Sequence, residues 1–366
     1  MAQVDLINPI LPEFIDKLDP QFVQIYTKHQ EVTLLIESPA PKIRADQVTI
    51  EEYRKNTSKY TFFIAPGPSP DVGSATIYKV KVKEPDGEIL VKVYVPTADA
   101  ITSGGLKTAD GKLPAHVNYH GGGWVIGGLH SDQSWCRQVC QRVGCIIVDV
   151  DYRLAPEYKF PIQIWDSWAA LKWVFAEADK LGIDSSRVSV GGLSAGGHLS
   201  AVLALLARDE PGMPPLKLQM LIVPCVDART TPVEGSCDPK TTPYETYITC
   251  ENVPCLPLQR MRWFHNLWLG TDPEKRKEAT DMWIASPILA SSHANLAPAS
   301  IHCAEFDCLC SEAVAYNEVL NKAGTPSTVK VYKGVCHPFA HWDGELDKAK
   351  EYVDDTTNAL KKAYTS

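Results

Sequence analysis

The sequence predicts an α/β fold: a mostly parallel central sheet flanked by helices, with a helical cap over it. Three observations predict it. From residue 114 onward, short apolar runs alternate with amphipathic ones, the order that buries a parallel sheet between helices. Two of the apolar runs end in glycine-rich turns, NYHGGGWVIGG and VSVGGLSAGG, where backbone segments can approach closely. The alternation then fails between about Ala228 and Ser286, an interruption too long for an ordinary connection and therefore of a functional kind.

Taken in order, residues 1–60 read as helical segments punctuated by prolines, among them PEFIDKLD and QVTIEEYRK. ATIYKVKV and ILVKVYV alternate apolar and polar residues around EPDGE, which predicts a hairpin turning at its Asp-Gly pair. PAHVNYH is a strand, and CIIVDVDY is a strand buried on both faces. FPIQIWDSWAALKWVFAEADKLG is a helix ending at Gly182; RVSVGG is a short strand and GGHLSAVLALLARDE a helix. LKLQMLIVPCVD, PASIHCAEFD and STVKVYKGVCH are the remaining strands. The interrupted stretch holds many prolines, three cysteines and the Trp-rich helical piece QRMRWFHNLWLG. The expected division is an N-terminal helical cap segment at 1–75 and an α/β domain at 76–366, with a cap insertion at about 228–286.

Composition narrows the function classes. With 366 residues, 45% of them hydrophobic, the chain can bury one large core with a subdomain. The 36 basic and 44 acidic residues leave a formal charge of −8, and no Lys/Arg cluster offsets it, so nucleic acid is not an expected partner. No run of eighteen apolar residues occurs, so no membrane insertion is expected. The first twenty residues lack the basic start and unbroken apolar run of a secretory leader. The eleven cysteines are accordingly read as reduced thiols in the cytoplasm, and Cys237, Cys250 and Cys255 would pair only in an exported protein. Monomers and homodimers are both compatible with the sequence.

The motif with the most chemistry is Gly192-Leu193-Ser194-Ala195-Gly196, the only G-x-S-x-G in the chain. A nucleophilic serine must stand exposed on a strained strand-to-helix turn, and small residues two positions to either side let strand and helix come close enough to form it. A strand precedes this pentapeptide and an Ala/Leu-rich helix follows, so an idle glycine turn is the weaker reading. The second motif is His120-Gly121-Gly122-Gly123-Trp124. Its glycines can aim N–H groups at a developing oxyanion; the expected donors are the backbone N–H groups of Gly122, Gly123 and Ala195. A phosphate-cradling turn would need the Lys-Ser/Thr of a P-loop or the G-x-G-x-x-G spacing, and has neither. Trp124 and Leu193 are expected to line the substrate pocket. In DYRLAPEYKFP, Asp151, Arg153 and Glu157 are expected to hold loops rather than touch substrate.

Ser194 needs a base, and the base an orienting acid, in the chain order Ser, acid, His, each at the end of a strand. Two histidines follow the last strand: His337 directly, and His341 four residues on as the fallback. Asp307, ending PASIHCAEFD, is the first choice of acid; Asp227, ending LIVPCVD, is the other strand-end acid, while Glu305 lies within a strand and Glu312 in the next helix. His337 and His341, with Cys308 and Cys310 nearby, also raise a zinc reading. It lacks the Glu of H-E-x-x-H, and Pro338 opposes a helix there, so no metal is expected.

Together, HGGGW, DYRLAPE, GLSAGG, EFDCL and the final His-x-Phe resemble the hormone-sensitive-lipase-like esterases, from about residue 85 to the C-terminus. The N-terminal helices resemble that family's cap. The resemblance implies an α/β-hydrolase core, no cofactor, and acyl-enzyme chemistry on small-molecule esters of short or medium acyl chains. It carries the triad to Ser194, Asp307 and His337 and the oxyanion donors to Gly122, Gly123 and Ala195. Three departures stand out: Leu193 where the family usually has Asp or Thr, Pro338 where it usually has Gly, and a long cysteine-rich insertion before Asp307. Two rivals remain. The same machinery serves amides, formamides, lactones or acyl transfer. The fold also serves non-catalytic ligand receptors, as in the plant gibberellin receptors, which have lost the histidine that His337 matches here.

Overall fold

The computed structural model describes residues 10–36, 48–60 and 65–366; the rest of the expected 1–75 segment lies outside the described residues. Eight strands form one sheet in the order β1-β2-β4-β3-β5-β6-β7-β8. They are β1 (Ser74–Lys83), β2 (Asp86–Val95), β3 (Leu113–Tyr119), β4 (Ile146–Asp151), β5 (Ile183–Leu193), β6 (Gln219–Ile222), β7 (Ala299–Phe306) and β8 (Ser327–Cys336). β2 pairs antiparallel with both of its neighbours, and every pairing from β4 to β8 is parallel.

Parallel strands need crossovers, and helices supply them. Ile162–Ala176 links β4 to β5, Ala195–Asp209 links β5 to β6, Cys310–Lys322 links β7 to β8, and Asp347–Thr365 closes the chain. The central strands are buried on both faces, as their unbroken apolar runs require. In β4, Ile146, Ile147, Val148 and Val150 are each 1% exposed or less. Each side chain contributes about 1.5–3 kcal/mol of transfer free energy as an upper bound.

Three local expectations are corrected. The hairpin turns at Glu84 and Pro85, and Asp86 and Gly87 already pair with Lys83 and Val82 in β2. Pro85 has no N–H to give a ladder and takes the turn position instead. β5 begins at Ile183, because that residue pairs with Leu113 ahead of the irregularity in β3. β6 stops at Ile222, two residues into LIVPCVD, because Val223 has a φ of 40° and Pro224 brings no donor.

The N-terminal helices pack onto the loops after the last strands. In Pro20–Ile36, Phe22 lies 5.1 Å from Trp342, ring centre to ring centre, and Gln21 donates to the Glu345 carbonyl at 3.1 Å. Just before it, Asp19 N–H donates to the Gly334 carbonyl at 2.8 Å. The short helix Ile50–Lys55 is capped by Thr49, whose Oγ1 accepts from Glu52 N–H at 3.3 Å. The connection from β6 to β7 carries the helix Leu258–Leu269, which buries Leu258, Met261, Phe264 and Trp268 at helical spacing and ends at Gly270. Tyr53 packs on Trp263 of that helix at 5.7 Å, joining the two segments above the sheet. No helix among the described residues is long and apolar enough to cross a membrane.

Candidate active site

At the end of β5 the chain turns sharply into Ala195–Asp209, and Ser194 sits on the turn at φ 57°, ψ −113°. That conformation is strained for a non-glycine residue. Packing explains both flanking glycines: a Cβ on Gly192 would lie 2.1 Å, and one on Gly196 1.7 Å, from the Tyr119 carbonyl oxygen that ends β3. The turn is pinned by Ser194 N–H donating to the Ile222 carbonyl at 2.7 Å. Ala195 opens the helix, so its N–H is among those with no intrahelical acceptor.

The glycine run after β3 faces this turn. Gly122 and Gly123 have φ of 116° and 59°, values that favour glycine. A Cβ on Gly123 would lie 2.4 Å from the Phe264 ring, so this loop and the helix Leu258–Leu269 touch. The loop is held from behind. The His120 ring stacks on Tyr152 at 4.2 Å, Tyr152 OH donates to the His120 carbonyl at 2.8 Å, and His120 Nδ1 lies 2.7 Å from the Gly121 carbonyl. Burial lowers the His120 pKa. Arg153 grips Asp166 at 2.8 and 2.7 Å and Glu157 receives Arg54 at 2.6 Å; these two residues of DYRLAPE hold loops.

His337 follows β8, and its Nδ1 lies 2.7 Å from Asp307 Oδ2. Asp307 follows β7, is 1% exposed, and accepts Leu309 N–H at 3.0 Å on its other oxygen. The other acids are engaged elsewhere. Asp227 binds Arg229 at 2.8 and 2.7 Å and Tyr244 OH at 2.8 Å. Glu305 meets Lys333 at 2.8 Å. Glu312 accepts Val226 N–H at 2.6 Å and Tyr247 OH at 2.7 Å, and burial pushes its carboxyl up to about 8. The fallback His341 does not reach Asp307 but pairs through Nε2 with Asp132 at 2.9 Å.

A model of the α/β-hydrolase fold family matches residues 116–341. An α/β-hydrolase superfamily protein of Schizosaccharomyces pombe is 34% identical over 367 residues, covering 98% of each chain. The carboxylesterase NlhH of Mycobacterium tuberculosis is 37% identical over 254 residues, covering 69% of this chain and 74% of its own. Among solved structures, a hyperthermophilic esterase from Pyrobaculum calidifontis superposes with a TM-score of 0.74 at 28% identity, covering 96% of this chain and 100% of its own. This chain belongs to the α/β-hydrolase fold family, among its hormone-sensitive-lipase-like esterases.

In this α/β-hydrolase, Ser194, His337, Gly122, Gly123, Leu193 and Trp124 all line one cavity of about 490 Å³. Trp124 contributes little open surface: it is 2% exposed, stacks on Trp268 at 3.7 Å, and donates Nε1–H to His198 Nδ1 at 3.2 Å. Asp307 stands behind His337 rather than in the wall. The eleven cysteines are all free. Cys225 lines the cavity beside Ser194, but burial pushes its thiol well up, so it stays protonated and a poor nucleophile.

Part of the wall escaped the motifs. Tyr53, Arg54 and Thr57 arrive from the N-terminal segment, Leu256 and Arg260 from the β6–β7 connection, and His130 and Ser131 from just past the glycine run, beside Met261 and Phe264 of the helical piece expected in the cap. Arg54 ties its segment down: it donates to the carbonyls of Val125 and Ala155, each at 2.7 Å, as well as to Glu157. These partners lie 71 to 103 residues away in the chain, and no local pattern announces such a contact.

Proposed function

We propose that this protein hydrolyses carboxylic esters of short to medium acyl chains through an acyl-enzyme on Ser194. The observation that carries the reading is Ser194, strained and cavity-facing, sharing that cavity with a histidine whose Nδ1 is held at 2.7 Å by a buried aspartate. Asp307 keeps the proton of His337 on Nδ1, leaving Nε2 free to take the Ser194 proton as Oγ attacks the ester carbonyl. Backbone N–H groups of Gly122, Gly123 and Ala195 receive the negative oxygen. His337 then protonates the leaving alcohol, and water repeats the sequence on the acyl-enzyme. The segments 1–75 and 228–286 act as the cap that shapes the pocket, with Leu193 and Trp124 in its wall. The relatives named as esterases support ester chemistry, and eleven free thiols favour a reducing compartment, the cytoplasm.

The test is hydrolysis of p-nitrophenyl esters from acetate to decanoate by the wild type and by Ser194→Ala. Turnover that peaks at short or medium chains and falls by several orders of magnitude in the variant is expected. Unchanged turnover in Ser194→Ala would overturn the assignment. Fluorophosphonate labelling of Ser194 without ester turnover would move the reading to amides, lactones or acyl transfer.

A further inference from the structure

We infer that His265 is a specificity-determining residue: its Nε2 hydrogen-bonds a hydroxyl or carbonyl group on the chain that fills the cavity, so esters carrying such a group are preferred over plain alkyl ones. This deepens the ester-hydrolase reading and rests on it. The observation is a buried imidazole in the cavity wall that no group of the protein satisfies. His265 lies in the helix Leu258–Leu269, is 3% exposed, and lines the cavity that holds Ser194 and His337. Its Nδ1 is sealed off without a hydrogen-bond partner. Among the described residues no hydrogen bond reaches Nε2 either, and Nε2 is not sealed. The close neighbours of the ring are Trp124 at 5.4 Å and Trp268 at 6.1 Å, both in edge contact. An indole face is at most a weak acceptor. A leucine or phenylalanine would fill this place without the cost of a buried, unpaired nitrogen. A histidine suits it when a ligand supplies the partner.

Other polar groups of the wall are engaged or open to water. Ser131 Oγ accepts Gly128 N–H at 3.1 Å, Thr57 Oγ1 donates to the Tyr53 carbonyl at 3.1 Å, and Tyr53 OH accepts from Arg260 at 3.3 Å. His341 pairs with Asp132, and His130 is exposed. The place of His265 also suits contact with substrate. Its neighbour Trp124 directly follows Gly123, an expected oxyanion donor, and Phe264 beside it in the helix packs against Gly123. Burial, then Arg276 and His198, hold the His265 pKa well below the ordinary histidine value, which favours the neutral ring. Neutral imidazole offers one N–H and one lone pair, and with Nδ1 unpartnered nothing fixes which nitrogen carries the proton. Nε2 can therefore donate to a carbonyl, or take either role with a hydroxyl.

The experiment moves one carbonyl along an otherwise alkyl chain, on either side of the ester. The acyl series is p-nitrophenyl octanoate with its 4-, 5-, 6- and 7-oxo derivatives; the alcohol series is octyl butyrate with the same oxo positions on the octyl chain. Wild type, His265→Phe, His265→Gln and Ser194→Ala are compared, each rate taken relative to the ester's own hydroxide hydrolysis. In wild type at least one oxo ester should exceed its parent in kcat/KM by about fivefold, the scale of one neutral hydrogen bond, through KM rather than kcat. The series that shows the gain tells whether the acyl chain or the leaving alcohol reaches His265. A wall without a partner gives the opposite sign, because the carbonyl loses its water on entry. In His265→Phe the preference should vanish, and His265→Gln, whose amide can donate or accept, should recover part of it. Parents preferred at every position in wild type overturn the inference, and this arm does not depend on any variant folding. A preference that persists in a folded His265→Phe gives the contact to another group and overturns it as well. Turnover of both parents that is absent in wild type, or that survives in Ser194→Ala, overturns the ester-hydrolase reading itself and the inference with it.

Discussion

Replacing Asp307 by Asn tests the proposed orientation of the base without changing its shape. Asp307 receives two donors, Leu309 N–H at 3.0 Å on Oδ1 and His337 Nδ1 at 2.7 Å on Oδ2. Asparagine keeps one oxygen. The Leu309 amide can only donate, so that oxygen stays with Leu309 and the new NH2 faces His337. Nδ1 must then accept, which moves the imidazole proton to Nε2, the atom that has to take the Ser194 proton. The same tautomer trap in a serine protease triad lowers kcat by about 10⁴-fold, equivalent to about 5 kcal/mol of barrier. A loss of that size is expected here on p-nitrophenyl butyrate, with rates normalised to active sites by fluorophosphonate titration and folding checked by Tm. The control is Asp227→Asn. That acid serves Arg229 and Tyr244, so its loss should cost about 1–3 kcal/mol of stability while kcat stays within about tenfold of wild type. The reasoning fails if Asp307→Asn keeps more than about a tenth of the wild-type kcat, or if Asp227→Asn loses as much as Asp307→Asn.

Gly196→Ala would place a Cβ 1.7 Å from the Tyr119 carbonyl; because that oxygen is backbone and no rotamer can move a Cβ, the variant should fold poorly or lose Ser194 labelling, read by Tm and probe uptake. Arg54→Ala should destabilise by about 2 kcal/mol, since it strips charge-assisted bonds from two carbonyls and Glu157; denaturant unfolding reads the loss, and Arg54→Lys should not restore it because one ammonium cannot span the three acceptors. Glu312 has its carboxyl raised to about 8 in the fold, chiefly by burial and then by Asp227. The folded state therefore holds a proton that the unfolded chain gives up, and stability should fall as pH rises from the ordinary Glu range toward 8. Glu312→Gln, which keeps an acceptor for Val226, should flatten that slope in a Tm-against-pH comparison; parallel curves would show that Glu312 is ionised in the fold.

What could be read along the chain and what could not divide by the range of the forces involved. The strand order of burial, the two glycine turns and the positions of Asp307 and His337 at strand ends are short-range features, and β3, β7 and β8 and the end of β5 stand where the motifs place them. The hairpin turn missed its site by two residues because a turn is chosen by ladder pairing across two strands, which set Lys83 against Asp86. β6 ran short for a similar reason: Val223 and Pro224 look like strand residues to a hydrophobicity pattern but leave the sheet by backbone angle.

The sequence by itself determined the fold class, the serine turn and the short menu of acids and bases, because each rests on residues a few positions apart whose chemistry and spacing constrain one another. Only the tertiary structure decided which of these groups meet. Asp307, not Asp227, meets His337; His341 meets Asp132; and Arg54, far back in the chain, closes the cavity wall. Those choices depend on where separate strands and loops are brought by packing, and packing is a property of the whole core rather than of any segment.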